Sequence, residues 1–433
     1  MQLQDNKYVK QKKKKWATTK VIALGFIGAI VVGTLLLLLP AATAEGKSTS
    51  VIDALFTATT SICVTGLVTV VTATHWSVFG KIIIAFLTQL GGLGVITVTI
   101  LLLVLIGKRI TLKERILIQE SYNLDTMAGL VKLIIKIVKG TLIIEAIGAF
   151  FYAIYFVPTF GPLKGIGISI FNSISAFCNA GMDIIGETSL ESYVANPLIN
   201  FTTMFLIIVG GIGFTVWWDV IRVIREAKDH KLEKHHLFRR LSLHSKLAIT
   251  VSLILIVSGF LCIFIFEYNN PKTIGNLNFG DKAMASLFQS VTTRTAGFAT
   301  IPQGELTNAS SLVSLILMFI GGSPVGTAGG IKTTTMAMIA LTVVATIKGK
   351  KDTEAFGRRI SNYNFRTGLS VVVMSAMVLF VSTLLLMSVE NFNFLEVLYE
   401  TTSAIATVGL SRGITPELST VGKLIIIFTM YLG

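Results

Sequence analysis

Ala406-Thr407-Val408-Gly409-Leu410 follows a short segment, Phe394 to Ile405, that mixes apolar with polar side chains. Five residues decide little by themselves, but the chain repeats the arrangement four times. Val64-Thr65-Gly66 follows Phe56 to Cys63, Asn179-Ala180-Gly181 follows Phe171 to Cys178, and Thr295-Ala296-Gly297 follows Phe288 to Arg294. The glycines at 66, 181, 297 and 409 are 115, 116 and 112 residues apart. A second landmark keeps step. Gly91-Gly92, Gly210-Gly211, Gly321-Gly322 and Gly433 lie 25, 29, 24 and 24 residues after those glycines. Two landmarks recurring in phase define four homologous modules.

The 433 residues are 52% hydrophobic and 14% charged, with a mean hydropathy of +0.75; a soluble domain carries roughly 25% charge. Runs from Val21 to Leu39, Ile82 to Ile106, Leu198 to Val216 and Leu369 to Val389 are near the ~20 residues that span a bilayer as a helix. The first run is long for a signal-peptide core and more spans follow, so it reads as a retained first helix. The net charge of +14 invites a nucleic-acid partner, but its distribution argues against one. Of 37 Lys and Arg, 28 lie in four zones: up to Lys20, Lys108 to Lys139, Arg222 to Lys246, and Lys348 to Arg366. Only 8 fall in the opposite zones. This positive-inside bias places the N-terminus and the inter-module loops in the cytoplasm and accounts for the charge through orientation and lipid headgroups.

Taken in order, residues 1–15 form a basic cytoplasmic tail, 16–110 module one, 111–230 module two, 231–350 module three and 351–433 module four. In module one, Ser48 to Cys63 is too short and too rich in Thr and Ser to cross, and reads as a re-entrant half-helix. Such a segment is tolerated in a membrane only where protein or a water-filled cavity surrounds it. Module two has a first span near Leu130 to Val157 closed by Pro158, a half-helix Gly167 to Cys178, and a return span Pro197 to Val223. Trp217 and Trp218 sit at its cytoplasmic end, where aromatic belts form. Module three runs from a first span Leu247 to Phe266 through a half-helix Lys282 to Thr293 to a return segment Ser311 to Ile347. One helix of that length would exceed a ~30 Å hydrocarbon core. The segment is interrupted by Gly321, Gly322, Ser323, Pro324, Gly326, Thr327, Gly329 and Gly330, a composition hostile to helix. Non-helical backbone at that depth marks a cavity wall or a gate. The last return span starts near Thr420 and reaches Gly433 after about a dozen apolar residues, too few to cross, so an incomplete last helix is expected. The expected fold is thus an all-α membrane protein. It has four tandem membrane-pore-membrane modules, about eight transmembrane helices and four re-entrant pore helices, with pseudo-fourfold symmetry around one pore.

Thr-Val-Gly is also the heart of the potassium-channel filter, where backbone carbonyls replace the ion's water shell. Four half-helices around one axis, each ending in a turn of exposed carbonyls, would supply a ring of neutral oxygen donors. Glycine suits such a turn because a Cβ resists the required φ. No ring of carboxylates appears; Asp183 lies two residues past Gly181, and Glu400 lies within its half-helix. A neutral ring suits a monovalent cation. The plainer reading, small residues packing helices, explains the Gly-Gly pairs but not four hydroxyl-rich half-helices ahead of a glycine.

Other motifs carry less. Gly326 to Thr333 lacks the Gly-Lys-Ser/Thr of a phosphate loop, because Ile331 separates Gly330 from Lys332, and no strand precedes it. No nucleotide site is expected on this chain, and Lys332 reads as an electrostatic barrier or a loop latch. Cys63, Cys178 and Cys262 have no metal-ligand spacing, and His230, His235 and His236 read as a solvated loop.

The four modules, their glycines and the Gly-rich break resemble the Trk/Ktr/HKT superfamily of cation transporters. The short loops and basic tail are most similar to the membrane subunit of bacterial Ktr potassium uptake systems. The resemblance covers essentially the whole chain. It implies a potassium filter at Cys63, Val64, Thr65 and Gly66; Cys178, Asn179, Ala180 and Gly181; Arg294, Thr295, Ala296 and Gly297; and Ala406, Thr407, Val408 and Gly409. K+ would be held at their carbonyls. It implies an intramembrane gating loop over residues 320–333, a homodimer with one pore per protomer, and a bacterial plasma-membrane location. It also implies a cytosolic nucleotide-binding regulatory subunit assembled as an octameric ring. Glycine in all four modules matches the potassium-selective pattern. The family's basic residue in the last return helix would lie past Gly433. Sodium dependence stays open. The alternative is a secondary transporter coupling potassium to sodium or protons, which needs an ionisable group in the membrane; Glu145 is the candidate.

Overall fold

Small hydroxyl side chains of the half-helices go inside, while many large apolar side chains of the long helices face outward. Thr57, Thr59, Thr60 and Ser61 are buried, whereas Leu24, Phe150 and Phe380 are 65%, 65% and 69% exposed. In water that partition would be unstable; against lipid tails it matches the surroundings. The structure, a computed structural model, describes residues 2–106, 129–229, 237–350 and 352–433.

Each module is a helix, a half-helix and a return. Module one comprises Gln2–Leu37, the pore helix Val51–Ile62, and a return of Val78–Leu93 and Val95–Leu105 interrupted at Gly94. Module two comprises Leu130–Phe160, the pore helix Pro162–Cys178, and a return of Pro197–Gly211 and Phe214–Asp229. Module three comprises Leu243–Glu267, the pore helix Phe279–Thr292, and a return of Asn308–Phe319 and Thr333–Ile347. Module four comprises Asn362–Val389, the pore helix Phe394–Ile405, and Thr420–Leu432. Starts are set by side-chain caps. Ser50 accepts from Asp53 N, Asn278 from Asp281 N, and Asn393 forms a reciprocal box with Glu396. Each cap supplies an acceptor to an otherwise orphaned N–H. Among the described residues, three helices are long and apolar enough to cross a membrane by themselves: Lys20–Leu37, Leu243–Glu267 and Tyr363–Val389. A two-stranded hairpin, Glu354–Ala355 with Arg358–Arg359, is the small exception to helix among the described residues.

Three expectations are corrected. The helix expected to close at Pro158 runs on to Phe160 with the proline in its last turn. The return span of module two is not continuous: it bends by 94° between Gly211 and Phe214. Three glycines in four residues, Gly210, Gly211 and Gly213, carry that elbow, and Gly213 has φ +98, a region a Cβ disfavours. The bend also turns Trp217 inward. Its Nε1 donates to the Val209 carbonyl at 2.9 Å, and its ring packs on Phe177 and Phe214 with centroids 5.8 and 5.1 Å away, instead of joining an interfacial belt. The histidines 230, 235 and 236 lie outside the described residues. The expected module boundaries after 110 and 230 fall within the undescribed stretches 107–128 and 230–236, and the one after 350 adjoins undescribed residue 351.

Candidate functional site

The four glycines found by their spacing meet at one place. A Cβ on Gly66 would collide with the Ala180 carbonyl oxygen. One on Gly181 would lie 2.7 Å from the Ala296 oxygen, one on Gly297 2.5 Å from the Val408 oxygen, and one on Gly409 would collide with the Thr65 oxygen. Module one therefore touches two, two touches three, three touches four, and four touches one. The cycle closes, and each contact is the glycine of one module against the carbonyl preceding the glycine of the next.

The local backbone repeats as well. Val64, Asn179, Thr295 and Thr407 have φ of 54, 59, 67 and 50, and Gly66, Gly181, Gly297 and Gly409 have φ of 99, 66, 80 and 97. Left-handed backbone at the first and third of three residues recurs in all four turns. It is uncommon for the β-branched Val64, Thr295 and Thr407, and such strain concentrates at functional sites. The hydroxyls expected around the turns hold them. Thr60 Oγ1 accepts from Gly66 N at 2.9 Å and Ser403 Oγ from Gly409 N at 3.0 Å.

The second landmark has a packing role. A Cβ on Gly91, Gly210 or Gly433 would strike the carbonyl of Ile62, Phe177 or Ile405. Those carbonyls sit four residues before the turn glycines 66, 181 and 409, at the ends of the pore helices. Helix packing by small residues is thus the right account of these glycines. In module three the partner differs: Gly321 approaches the Gly329 carbonyl of its own loop.

Residues 320–332 between the two halves of the module-three return are an irregular loop that docks on the module-two elbow. Ser323 N donates to Gly211 O at 2.8 Å, Thr327 N to Gly210 O at 3.1 Å, and Phe214 N to Val325 O at 2.8 Å. Thr327 Oγ1 donates to Phe177 O at 2.9 Å and Gly329 N to Thr295 Oγ1 at 3.1 Å. The loop thus bonds to the pore-helix end of module two and the turn of module three. Ser323 pairs with Thr333 at 2.9 Å. Lys332 Nζ donates to Ala328 O at 2.6 Å, so it is tied within the loop.

The remaining predicted side chains scatter. Cys178 is buried against Gly92, and Cys63 is half-buried. Asn179 is buried with neither side-chain polar atom bonded. Arg294 points away from the ring, its Nη2 bonded to Ser252 Oγ at 3.1 Å. These residues enter the turns through their backbones. On one side of the ring, all four glycines line a cavity of about 360 Å³ that also holds Asp183, Glu187, Glu191 and Arg412. Burial pushes the Glu191 carboxyl above its ordinary range. Among the described residues no cluster of His, Cys, Asp and Glu could hold a metal ion.

A pseudo-fourfold ring of strained turns inside a lipid-facing helical body defines a multi-pass membrane protein. The model of the TrkH family, described as a cation transport protein, matches residues 6–433, and the chain belongs to that family. It is 42% identical over its full length to the Ktr system potassium uptake protein B of Bacillus subtilis, covering 94% of that protein. It is 38% identical to the potassium/sodium uptake protein NtpJ of Enterococcus hirae, with 98% of this chain and 92% of that one covered. The crystal structure of the potassium transporter TrkH from Vibrio parahaemolyticus shares the fold, with a TM-score of 0.71 at 18% identity over 95% of this chain and 81% of that one. The Trk/Ktr/HKT resemblance drawn from the glycines therefore holds. The relatives are membrane transport proteins, not enzymes.

Proposed function

We propose that this chain is the ion-conducting subunit of a potassium uptake system. Carbonyls of residues 63–66, 178–181, 294–297 and 406–409 form its filter, and loop 320–333 forms its gate. The observation that carries the reading is the closed cycle of four turns with the same alternation of left-handed backbone, opening on an acidic cavity. Neutral oxygen donors at a fixed spacing replace the hydration shell of a monovalent cation. The acidic residues raise its local concentration, and the loop's polar ties to the elbow hold the inner side shut. Five inter-segment hydrogen bonds, mostly from and to backbone groups, dock a loop without regular secondary structure, and such an element suits switching between two arrangements. The Ktr-system relatives support a separate regulatory partner. The full reading has a homodimer in a bacterial plasma membrane with its N-terminus and inter-module loops cytoplasmic. A cytosolic ring carries the nucleotide.

Glu145 supports a second reading, coupled transport with sodium or protons. It is buried in a membrane-depth helix with Oε1 unbonded, and the Enterococcus relative is named for both ions. Reversal potentials in proteoliposomes separate the two. A potential that follows the potassium gradient alone supports the channel-like reading, and one that shifts with sodium or pH supports coupling.

A further inference from the structure

The pore helices differ at the position nine residues before the filter glycine: Thr57, Asn172, Phe288 and Glu400. Glu400 is fully buried. Ser411 Oγ donates to its Oε2 at 2.7 Å, and Thr415 Oγ1 donates to its Oε1. Both donors come from the segment just past Gly409. A carboxylate only accepts, and in a low-dielectric interior it needs donors on both oxygens; the post-filter segment supplies both. Ser411 Oγ also accepts from Gly413 N at 3.0 Å. Between the two hydroxyls, Arg412 reaches across to module three, donating to Ser311 Oγ and Gly304 O at 2.6 Å each. Tyr399, beside Glu400, donates to Gln303 Oε1 of module three at 3.0 Å. With Ser403 holding Gly409 N, the stretch from Gly409 to Thr415 is pinned at its start, middle and end.

We propose that Glu400 is a positioning residue for the cavity-side end of the filter. Its tether to Ser411 and Thr415 sets where the module-four turn stands and hence the preference among monovalent cations. No other described pore helix ties both oxygens of a carboxylate to its own post-filter segment. The inference rests on the filter reading above. Discrimination among alkali cations depends on where and how stiffly the carbonyls are held, so loosening one strand of four lowers selectivity before it abolishes conduction.

The test uses the reconstituted full chain, with rubidium uptake competed by sodium. Ser411→Ala/Thr415→Val removes both donors without touching the pore helix and is expected to lower potassium-over-sodium preference about tenfold. Ser411→Ala alone, the milder change, is expected to lower it about threefold. Glu400→Ala should match the double variant. Glu400→Gln, whose amide both accepts and donates, should stay within about twofold of the parent. Parental selectivity in the folded double variant or in Ser411→Ala overturns the proposal. So does a Glu400→Gln variant as poor as Glu400→Ala, because that assigns the effect to charge. Gly66→Ser is the control for the filter itself. If it retains selectivity, the filter reading fails; if it loses selectivity while the tether variants keep theirs, only the role of Glu400 fails.

Discussion

Modules one and four hold their turns differently from modules two and three. In the first pair, a pore-helix hydroxyl six residues back, Thr60 or Ser403, accepts from the N–H of Gly66 or Gly409. At the same position module two has Ser175, buried with its hydroxyl unbonded, and module three has Val291. Modules two and three carry the elbow and the docked loop. Modules one and four are joined at the N-terminal starts of the module-one pore helix and the last helix by an ion pair, Lys423 to Asp53 at 2.8 Å, with side chains 14% and 17% exposed. One half of the ring thus has a hydroxyl on the N–H of its turn glycine, and the other has the elbow and the docked loop. On the proposed reading, a filter that must keep its spacing and a gate that must change shape impose opposite demands on one backbone. Four non-identical modules let separate parts of the chain meet them.

The largest effect should come from the half with the elbow and the docked loop. Deleting several residues from 322–330 removes the docking bonds, and potassium or rubidium flux is expected to rise ~100-fold and to lose its dependence on a regulatory partner. A well-folded deletion variant with ordinary, still-regulated flux would sink the assignment of the gate. Next comes Gly66→Ser. Its φ of +99 and its approach to Ala180 leave no room for a Cβ, so potassium preference over sodium should fall at least ~10-fold in competition uptake. Thr327→Val removes one bond, to Phe177 O. At about 1 kcal/mol per buried hydrogen bond, basal flux should rise about fivefold. The sharpest check of the comparison is a pair. Ser403→Ala should cost a few-fold in selectivity, whereas Ser175→Ala, at the same position in module two, should change it less than twofold. Equal effects would erase the distinction between the halves. Smallest of all, Glu191→Gln at the cavity should slow uptake about twofold at low salt and not at high salt, read as initial rates across ionic strength.

Much of this was legible in the residues. The phase of the glycines gave four modules, Ser and Thr gave four short pore helices, and Gly and Pro gave the break in module three, because each is a local property of the backbone. The elbow of module two was written as clearly, in Gly210, Gly211 and Gly213, yet it sits within an apolar run that reads as one span. Hydropathy averages over a window and does not register a bend. Glu400 was visible as a carboxylate in a half-helix, but its partners lie 11 and 15 residues on, beyond a turn whose path the residue types do not specify.

The sequence by itself determined the repeat, the membrane setting, the pore helices and the positions that have to be glycine, since spacing, hydropathy and φ preference act within a few residues. Tertiary structure alone decided which contacts those residues make. Gly66 needs its glycine because the Ala180 carbonyl arrives from another module, and loop 320–332 has its shape because Gly210 and Gly211 offer carbonyls from 117 and 112 residues away. Arg294 contributes to the turn through its backbone because its guanidinium finds Ser252 outside the ring. Partners that far apart in the chain meet only after the four modules have closed, so their pairing is a property of the ring and not of any one segment.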